Sequence, residues 1–305
     1  MSEIDNKQRG YLPNARNVRS RIIGLLEYTP PLVHTTLAGG FGRKRISAMM
    51  RIKNEEKFLR DSVESVLPLV DEVVIIDNDS TDNTPLIAQD LAQLYRRQIR
   101  VFHYAHAIAR VGSENQELAS TRSGRRSPRL LANYYNWCLR QCRMSYILKW
   151  DGDMVATPNL AVHIEHFRNS SDLVMKIFGA NLHPDRYHLV GASADTQQKI
   201  QTRMETPMSV ENWTAPYTDL EPRLFPRVLA RYRTDFWWCE SLDTPWMPWS
   251  ISPEDCGFIH LKYCKPDPYE NWSPDFSAVI QSGIVPGPVV PDELHSLVTS
   301  IGTSF

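Results

Sequence analysis

The chain has no glycine-rich phosphate loop. Neither Gly-x-Gly-x-x-Gly after a strand nor Gly-x-x-x-x-Gly-Lys-[Ser/Thr] occurs in its 305 residues. That argues against a dinucleotide-dependent dehydrogenase and against a P-loop NTPase. Cysteine is scarce. The five present, Cys138, Cys142, Cys239, Cys256 and Cys264, are odd in number, and their spacing matches no zinc pattern. A reducing cytoplasm fits this usage best. Cys138 and Cys142, four apart in a helical pattern, read as small core residues. No apolar run approaches the roughly 18 residues of a membrane span. Residues 1–10 are polar and charged and lack the apolar stretch of a secretory signal. Charge of neither sign dominates: the net value is -1, which offers nucleic acid or an anionic membrane no general attraction. Arg122, Arg125, Arg126 and Arg129 form the one basic cluster; they read as a solvated loop first, and as a contact for a phosphate or an anionic acceptor second.

With 42% hydrophobic and 23% charged residues, the chain has the composition of an ordinary soluble protein with a sizeable core. Residues 1–44 read as an N-terminal extension, rich in Arg, Asn and Pro and ending in a glycine-rich stretch. Strands and helices then alternate. Ile46 to Ile52 reads as a strand, Asn54 to Val66 as a helix, and Val73 to Ile76 as a β-branched strand buried on both faces. Asp82 to Arg97 is amphipathic, and Ile99 to Tyr104 is the next strand. Residues 105–127 read as a polar loop, followed by a helix over Pro128 to Cys142 and a strand over Tyr146 to Trp150. A helix over Asn159 to Arg168 and a strand over Leu173 to Phe178 complete the regular half. This alternation predicts an α/β fold around a doubly wound sheet. Beyond residue 180 prolines and aromatics crowd together and periodicity fades, so residues 181–265 read as a less regular lobe over the sheet, with 266–305 as a C-terminal tail.

In open α/β sheets, ligands bind beyond the carboxyl ends of the strands. Three polar clusters stand at such ends: Asn54-Glu55, Asp77-Asn78-Asp79 and Asp151-Gly152-Asp153. An Asp-x-Asp turn after a buried strand suits a hard divalent cation such as Mg²⁺ or Mn²⁺, whose shell phosphate oxygens can complete. Asp77 and Asp79 follow four apolar residues, where a carboxylate can accept hydrogen bonds from a nucleoside. A calcium loop at Asp77 is disfavoured because its sixth position is Asp82 and its twelfth is Ala88. Without a glycine-rich cradle, a bound nucleotide needs another counter-charge, and a metal on Asp151 and Asp153 would supply one.

The blocks Ile46 to Glu56, Asp71 to Thr84 and Leu148 to Asp153 resemble, in order and spacing, family 2 of the glycosyltransferases. The resemblance covers roughly residues 46–180. It implies a GT-A fold, that is, a Rossmann-like, mixed and mainly parallel sheet flanked by helices, with an irregular C-terminal acceptor lobe. It also implies a nucleotide-sugar donor. Arg51, Asn54, Glu55 and Asp77 or Asp79 would hold the nucleoside. Asp151 would lie near the ribose and the donor sugar, and Asp153 would ligate Mn²⁺ or Mg²⁺ on the diphosphate. The first block has Arg51-Ile52-Lys53-Asn54 in place of the common Pro-x-Tyr-Asn, as in a subgroup that includes lipopolysaccharide-core-type transferases.

That subgroup usually carries an Arg-Leu-Phe block and then an aromatic segment ending in Glu. Pro222 to Arg227 and Phe236 to Glu240 match, with Cys239 where His is usual. An inverting transfer needs a carboxylate to take the acceptor's proton. Glu240 is the candidate base, with Asp243 and Asp255 as competitors. His260 is a candidate ligand to the metal or diphosphate, although a lone His in an apolar strand is often a core residue. Trp246 and Trp249, set among prolines, are candidate acceptor contacts. The expected function is metal-dependent sugar transfer to a glycan or lipid-linked acceptor by a cytoplasmic protein that binds no nucleic acid and has no transmembrane span. The alternatives are a sugar nucleotidyltransferase and a non-catalytic glycan-binding protein.

Overall fold

The computed structural model describes residues 44–192, 218–234, 239–243, 249–251, 256–281 and 284–301. The predicted extension therefore lies outside the described residues up to residue 43. The fold grows from Ile46–Ile52 (β1), in which Arg51 alone is not buried. Its apolar residues alternate between two cores: Ala48, Met50 and Ile52 face one, and Met49 faces the other. Glu72–Asp77 (β2) is buried throughout and splits the same way, with Val73 and Ile75 on one side and Val74 and Ile76 on the other. A strand buried on both faces belongs in the middle of a helix-covered sheet. Accordingly, β2 lies parallel to β1 and to Ile99–His103 (β3). Tyr146–Asp151 (β4) lies parallel on β1's other edge.

Register decides what meets at the carboxyl ends. Ile52 stands opposite Asp77, and Arg51 stands opposite Asp151. The crossovers include Leu59–Val66 (α1) and Thr84–Leu94 (α2), whose buried faces join the first core. α1 starts later than expected. Asn54 has φ 55, a left-handed conformation that a helix does not tolerate. The predicted loop also contains a helix, Ser113–Ser120 (α3), and a short 3₁₀ turn at Gly124–Arg126. Only Asn115 and Ala119 of α3 are buried, so it carries no apolar stripe to read. Leu131–Gln141 (α4) follows, with Cys138 packed in the second core.

After β4 come Met154–Ala156 (β5), Pro158–Asn169 (α5), Val174–Asn181 (β6) and His188–Ala192 (β7). The lobe expected beyond residue 180 also enters the sheet. Thr218–Pro226 (β8) lies antiparallel between β4 and β6. Arg231–Arg233 (β9) and Ser241–Asp243 (β10) form a hairpin. Trp249–Ile251 (β11) and Phe258–His260 (β12) run parallel to β6, and β12 also pairs with β5. The nine-stranded sheet is mixed, mainly parallel and flanked by helices, as expected. Ile284–Val289 (β13) pairs with β7, and Pro274–Gln281 (α6) and Asp292–Ser300 (α7) complete the described elements.

β8 contains Pro222 and Pro226, residues that normally mark a strand as peripheral. The ladder accommodates Pro222 at a bulge, and Pro226 ends the strand. Met175 faces Leu224 and Lys176 faces Pro222, so Arg223 is the extra residue between them. A bulge bends its strand and re-aims the unpaired side chain.

Candidate active site

The carboxyl ends of β1 and β4 open into a cleft of about 890 Å³, whose lining includes Arg51, Glu55, Asp151, Asp153, Glu240, His260 and Lys265. Asp151 closes β4. Its Oδ1 accepts from Arg51 at 2.6 Å and its Oδ2 from the bulged Arg223 at 3.2 Å. Burial disfavours its charge, but Arg51, Arg223, Lys149 and His260 outweigh that effect and hold the carboxyl down at about 2. The backbone beneath it is fixed as well: Ser62 donates to the Asp151 carbonyl, and the Trp150 indole donates to Ser62. Arg51 also stacks 3.8 Å from the Tyr135 ring centroid.

Gly152 is required by its neighbours. A Cβ there would come within 2.8 Å of both Glu55 and Ile52. Asp153 is buried, with His260 Nε2 3.2 Å from one oxygen and Lys265 Nζ 2.6 Å from the other. Burial opposes the charge on Asp153, yet Lys265 and His260 keep its carboxyl far below the usual range. Lys265 also donates to Glu55 at 2.5 Å. Burial, and then the charge on Asp153, push Glu55 up to about 8. Of the two carboxyls sharing Lys265, Asp153 therefore keeps the charge and Glu55 carries the proton at neutral pH.

Glu240 precedes β10 on another wall of the cleft. Burial raises its pKa, while Lys149 and Arg51 act against that and Tyr135 hydrogen-bonds to it. A carboxyl whose pKa is raised by burial is a stronger base than a solvated one, which suits it to accept a proton. Its competitors differ. Asp243 is tied to Arg233 at 2.6 Å, and Asp255 lies outside the described residues.

The remaining predicted residues scatter. Asn54 clasps loops: its amide donates to Glu270 and its carbonyl accepts from the Thr81 backbone. Asp77 is buried at the end of β2, and its carbonyl accepts from Tyr104. Asp79 is exposed beside His103, 2.7 Å away. Asn78, between these two aspartates, is the one that lines the cleft, as does Arg129 of the basic cluster. Trp246 lies outside the described residues, and Trp249 stands in β11. Sequence reasoning missed Lys265, Lys149 and the role of Arg223. Arg223 sits in the Arg-Leu-Phe block, whereas Lys265 carries no motif.

Among the described residues, no group of three or more His, Cys, Asp and Glu is arranged to hold a metal ion. The two aspartates show why. Arg51 and Arg223 engage Asp151, and His260 and Lys265 engage Asp153. As arranged, these side chains do not fit a divalent cation.

No helix among the described residues is long and apolar enough to cross a membrane. Residues 47–110 match the family described as Glycosyl transferase family 2. Two curated relatives are similar over 48 residues: an uncharacterized glycosyltransferase of Rickettsia typhi at 44% identity and one of Rickettsia bellii at 42%. Each match covers 16% of this chain and 16% of the relative, so the aligned segment spans about a sixth of either. Among solved structures, S. aureus TarS in complex with UDP is 13% identical, covering 78% of this chain and 63% of that one, with TM-score 0.41. M. tuberculosis glucosyl-3-phosphoglycerate synthase, in complex with Mn²⁺, UDP-glucose and phosphoglyceric acid, is 15% identical, covering 61% and 57%, with TM-score 0.36. Residues 47–110, the segment that builds β2, β3, most of β1 and the helices between them, are thus what this chain shares with glycosyl transferase family 2.

Proposed function

We propose that this protein transfers a sugar from a nucleoside diphosphate to an acceptor hydroxyl on a glycan or lipid-linked glycan, with inversion at the anomeric carbon. The observation that carries this reading is the meeting, in one cleft, of a cation-braced Asp151-Gly152-Asp153 turn with Glu240, a carboxyl of raised pKa. The turn supplies the donor wall. Asp151, held ionised by Arg51 and Arg223, can accept hydrogen bonds from sugar or ribose hydroxyls. Glu240 supplies the acceptor wall. As the acceptor oxygen forms its bond to the anomeric carbon, Glu240 takes the hydroxyl proton. The bond from that carbon to the diphosphate oxygen breaks, and its electron pair leaves with the diphosphate.

The metal-assisted form of this reaction would require His260 and Lys265 to release Asp153. Nucleoside recognition at the end of β2 would fall to Asn78 on the cleft wall more than to Asp79 outside it. Trp249 and Trp246 remain candidate acceptor contacts.

The test incubates the full chain with a panel of nucleotide sugars and follows release of the nucleoside diphosphate, with and without glycan acceptors. Transfer should be seen, and Glu240→Gln should lower kcat by about a hundredfold to ten-thousandfold, the usual worth of a general base. Donor affinity should change little. Pyrophosphate release from a sugar phosphate and a nucleoside triphosphate would instead indicate a nucleotidyltransferase. Glycan binding without turnover of any donor would indicate a binding protein.

A further inference from the structure

We propose that Lys265 is the resident cation of this site, its ammonium facing the donor's diphosphate where a divalent ion would otherwise stand. This rests on the glycosyl-transfer reading above and deepens it. Lys265 Nζ bridges Asp153 Oδ2 and Glu55 Oε1 at 2.6 and 2.5 Å, and the side chain is 16% exposed, at the cleft wall. An ammonium has three donors. Two are directed at these carboxyls, which leaves one for a ligand oxygen.

The position is built into the backbone. Leu261 N–H donates to the carbonyl of Asp153 itself at 2.7 Å, and Cys264 N–H donates to Leu261 at 2.8 Å, closing the 3₁₀ turn Lys262–Cys264. The loop that carries Lys265 and the turn that carries Asp153 are therefore one hydrogen-bonded unit. β12 extends that unit by pairing with β5 immediately after the turn.

A divalent ion held by both oxygens of Asp153 would have to displace Lys265 from Oδ2 and His260 from Oδ1. Mg²⁺ sits about 2.0–2.1 Å from a carboxylate oxygen, with calcium somewhat farther. Lys265 Nζ at 2.6 Å from Asp153 Oδ2 stands where such an ion would sit on that oxygen, and His260 faces the other, so ammonium and metal compete for this carboxylate. Nor does the site lack positive charge without a metal. Arg51, Arg223 and Lys265 bring three cations to Asp151 and Asp153. The surplus suits a diphosphate, which a chain without a glycine-rich loop must neutralise by side chains. A lysine supplies that as a tethered point charge.

The experiment has two arms on the full chain. In the first, Mn²⁺ alone is titrated and followed by electron paramagnetic resonance. Wild type should bind no Mn²⁺ at Asp153. Lys265→Ala should gain a bound Mn²⁺, and adding Asp153→Asn should remove it again. In the second, UDP, GDP, CDP and ADP are titrated calorimetrically in EDTA and in Mn²⁺. At least one should bind wild type equally in both buffers. Lys265→Met should bind it about tenfold to a hundredfold more weakly in EDTA, the range for a hydrogen bond to a charged group. Lys265→Arg should recover part of the loss, which a merely structural role would not predict. Should Lys265→Met fail to fold, Lys265→Gln, which keeps a neutral donor beside Asp153 but carries no charge, serves in its place.

Mn²⁺ binding by wild type that Asp153→Asn abolishes would overturn the proposal. So would nucleoside diphosphate binding that requires Mn²⁺, which leaves glycosyl transfer standing. Failure of all four nucleotides in both buffers overturns glycosyl transfer and this proposal together.

Discussion

At the scale of single residues, the site is a set of carboxyls differentiated by their neighbours. Asp151, Asp153, Glu55 and Glu240 share one cleft, yet two are held ionised and two are pushed toward protonation. Glu55 makes this measurable through stability. Its native pKa of about 8 exceeds its ordinary 4.5, so the folded chain binds that proton more tightly than the unfolded chain. The resulting stabilisation is fully present below about pH 4.5 and is lost as pH rises through 8. Denaturant unfolding of wild type and Glu55→Gln across that window should therefore differ in slope. Wild type should lose up to about 1.4 kcal/mol per pH unit relative to the variant. Parallel profiles would mean that Glu55 is ionised in the folded state. Asp151 contributes with the opposite sign and in another window: its stabilisation disappears as pH falls below 3.8 toward about 2.

At the scale of elements, the β8 bulge is the feature with the clearest energetic signature. Arg223 is 1% exposed and braces Asp151 from the opposite side to Arg51. Arg223→Met keeps the volume but removes one partner of a buried ion pair, which typically costs about 3–5 kcal/mol. Arg51 still shields Asp151, so the lower end, about 3 kcal/mol, is expected in urea unfolding. An unchanged midpoint would mean that the bulge positions nothing. The same element marks the limit of what sequence could reveal. β1, β2 and β4 were legible because runs such as Val73 to Ile76 admit few environments, and polar residues closing those runs had to meet at one edge of the sheet. β8 was not legible. Pro222 and Pro226 argue against a central strand, and only the tertiary ladder with its bulge overrides them. α3 escaped because its buried positions are few and one of them is Asn115. Lys265 escaped because a lysine after Cys264 looks like any surface lysine until β12 brings its loop to Asp153.

At the scale of the whole molecule, the cleft draws on β1, β4, β8, β12 and the loops after them. A ligand that bridges these parts binds the folded state alone and stabilises all of it. A nucleoside diphosphate at about a hundredfold its Kd should raise unfolding stability by about 2.7 kcal/mol. Asp153→Asn should reduce that gain while leaving the ligand-free transition visible by calorimetry. A ligand-induced shift of equal size in wild type and Asp153→Asn would place the nucleotide elsewhere.

The antiparallel place of β8 between β4 and β6 also sets an order of events during synthesis. Glu55 and Lys265 lie 210 positions apart, so the site cannot close until residue 265 has left the ribosome. Until residues 218–226 emerge, β4 has one edge paired with β1 and the other bare. A bare, apolar edge is a template for a second chain. Shortened forms ending near residue 192 should therefore self-associate, and the nascent protein passes through that state each time it is made. β8 thus serves folding before it serves the site, as the strand that ends the chain's exposure to its own copies.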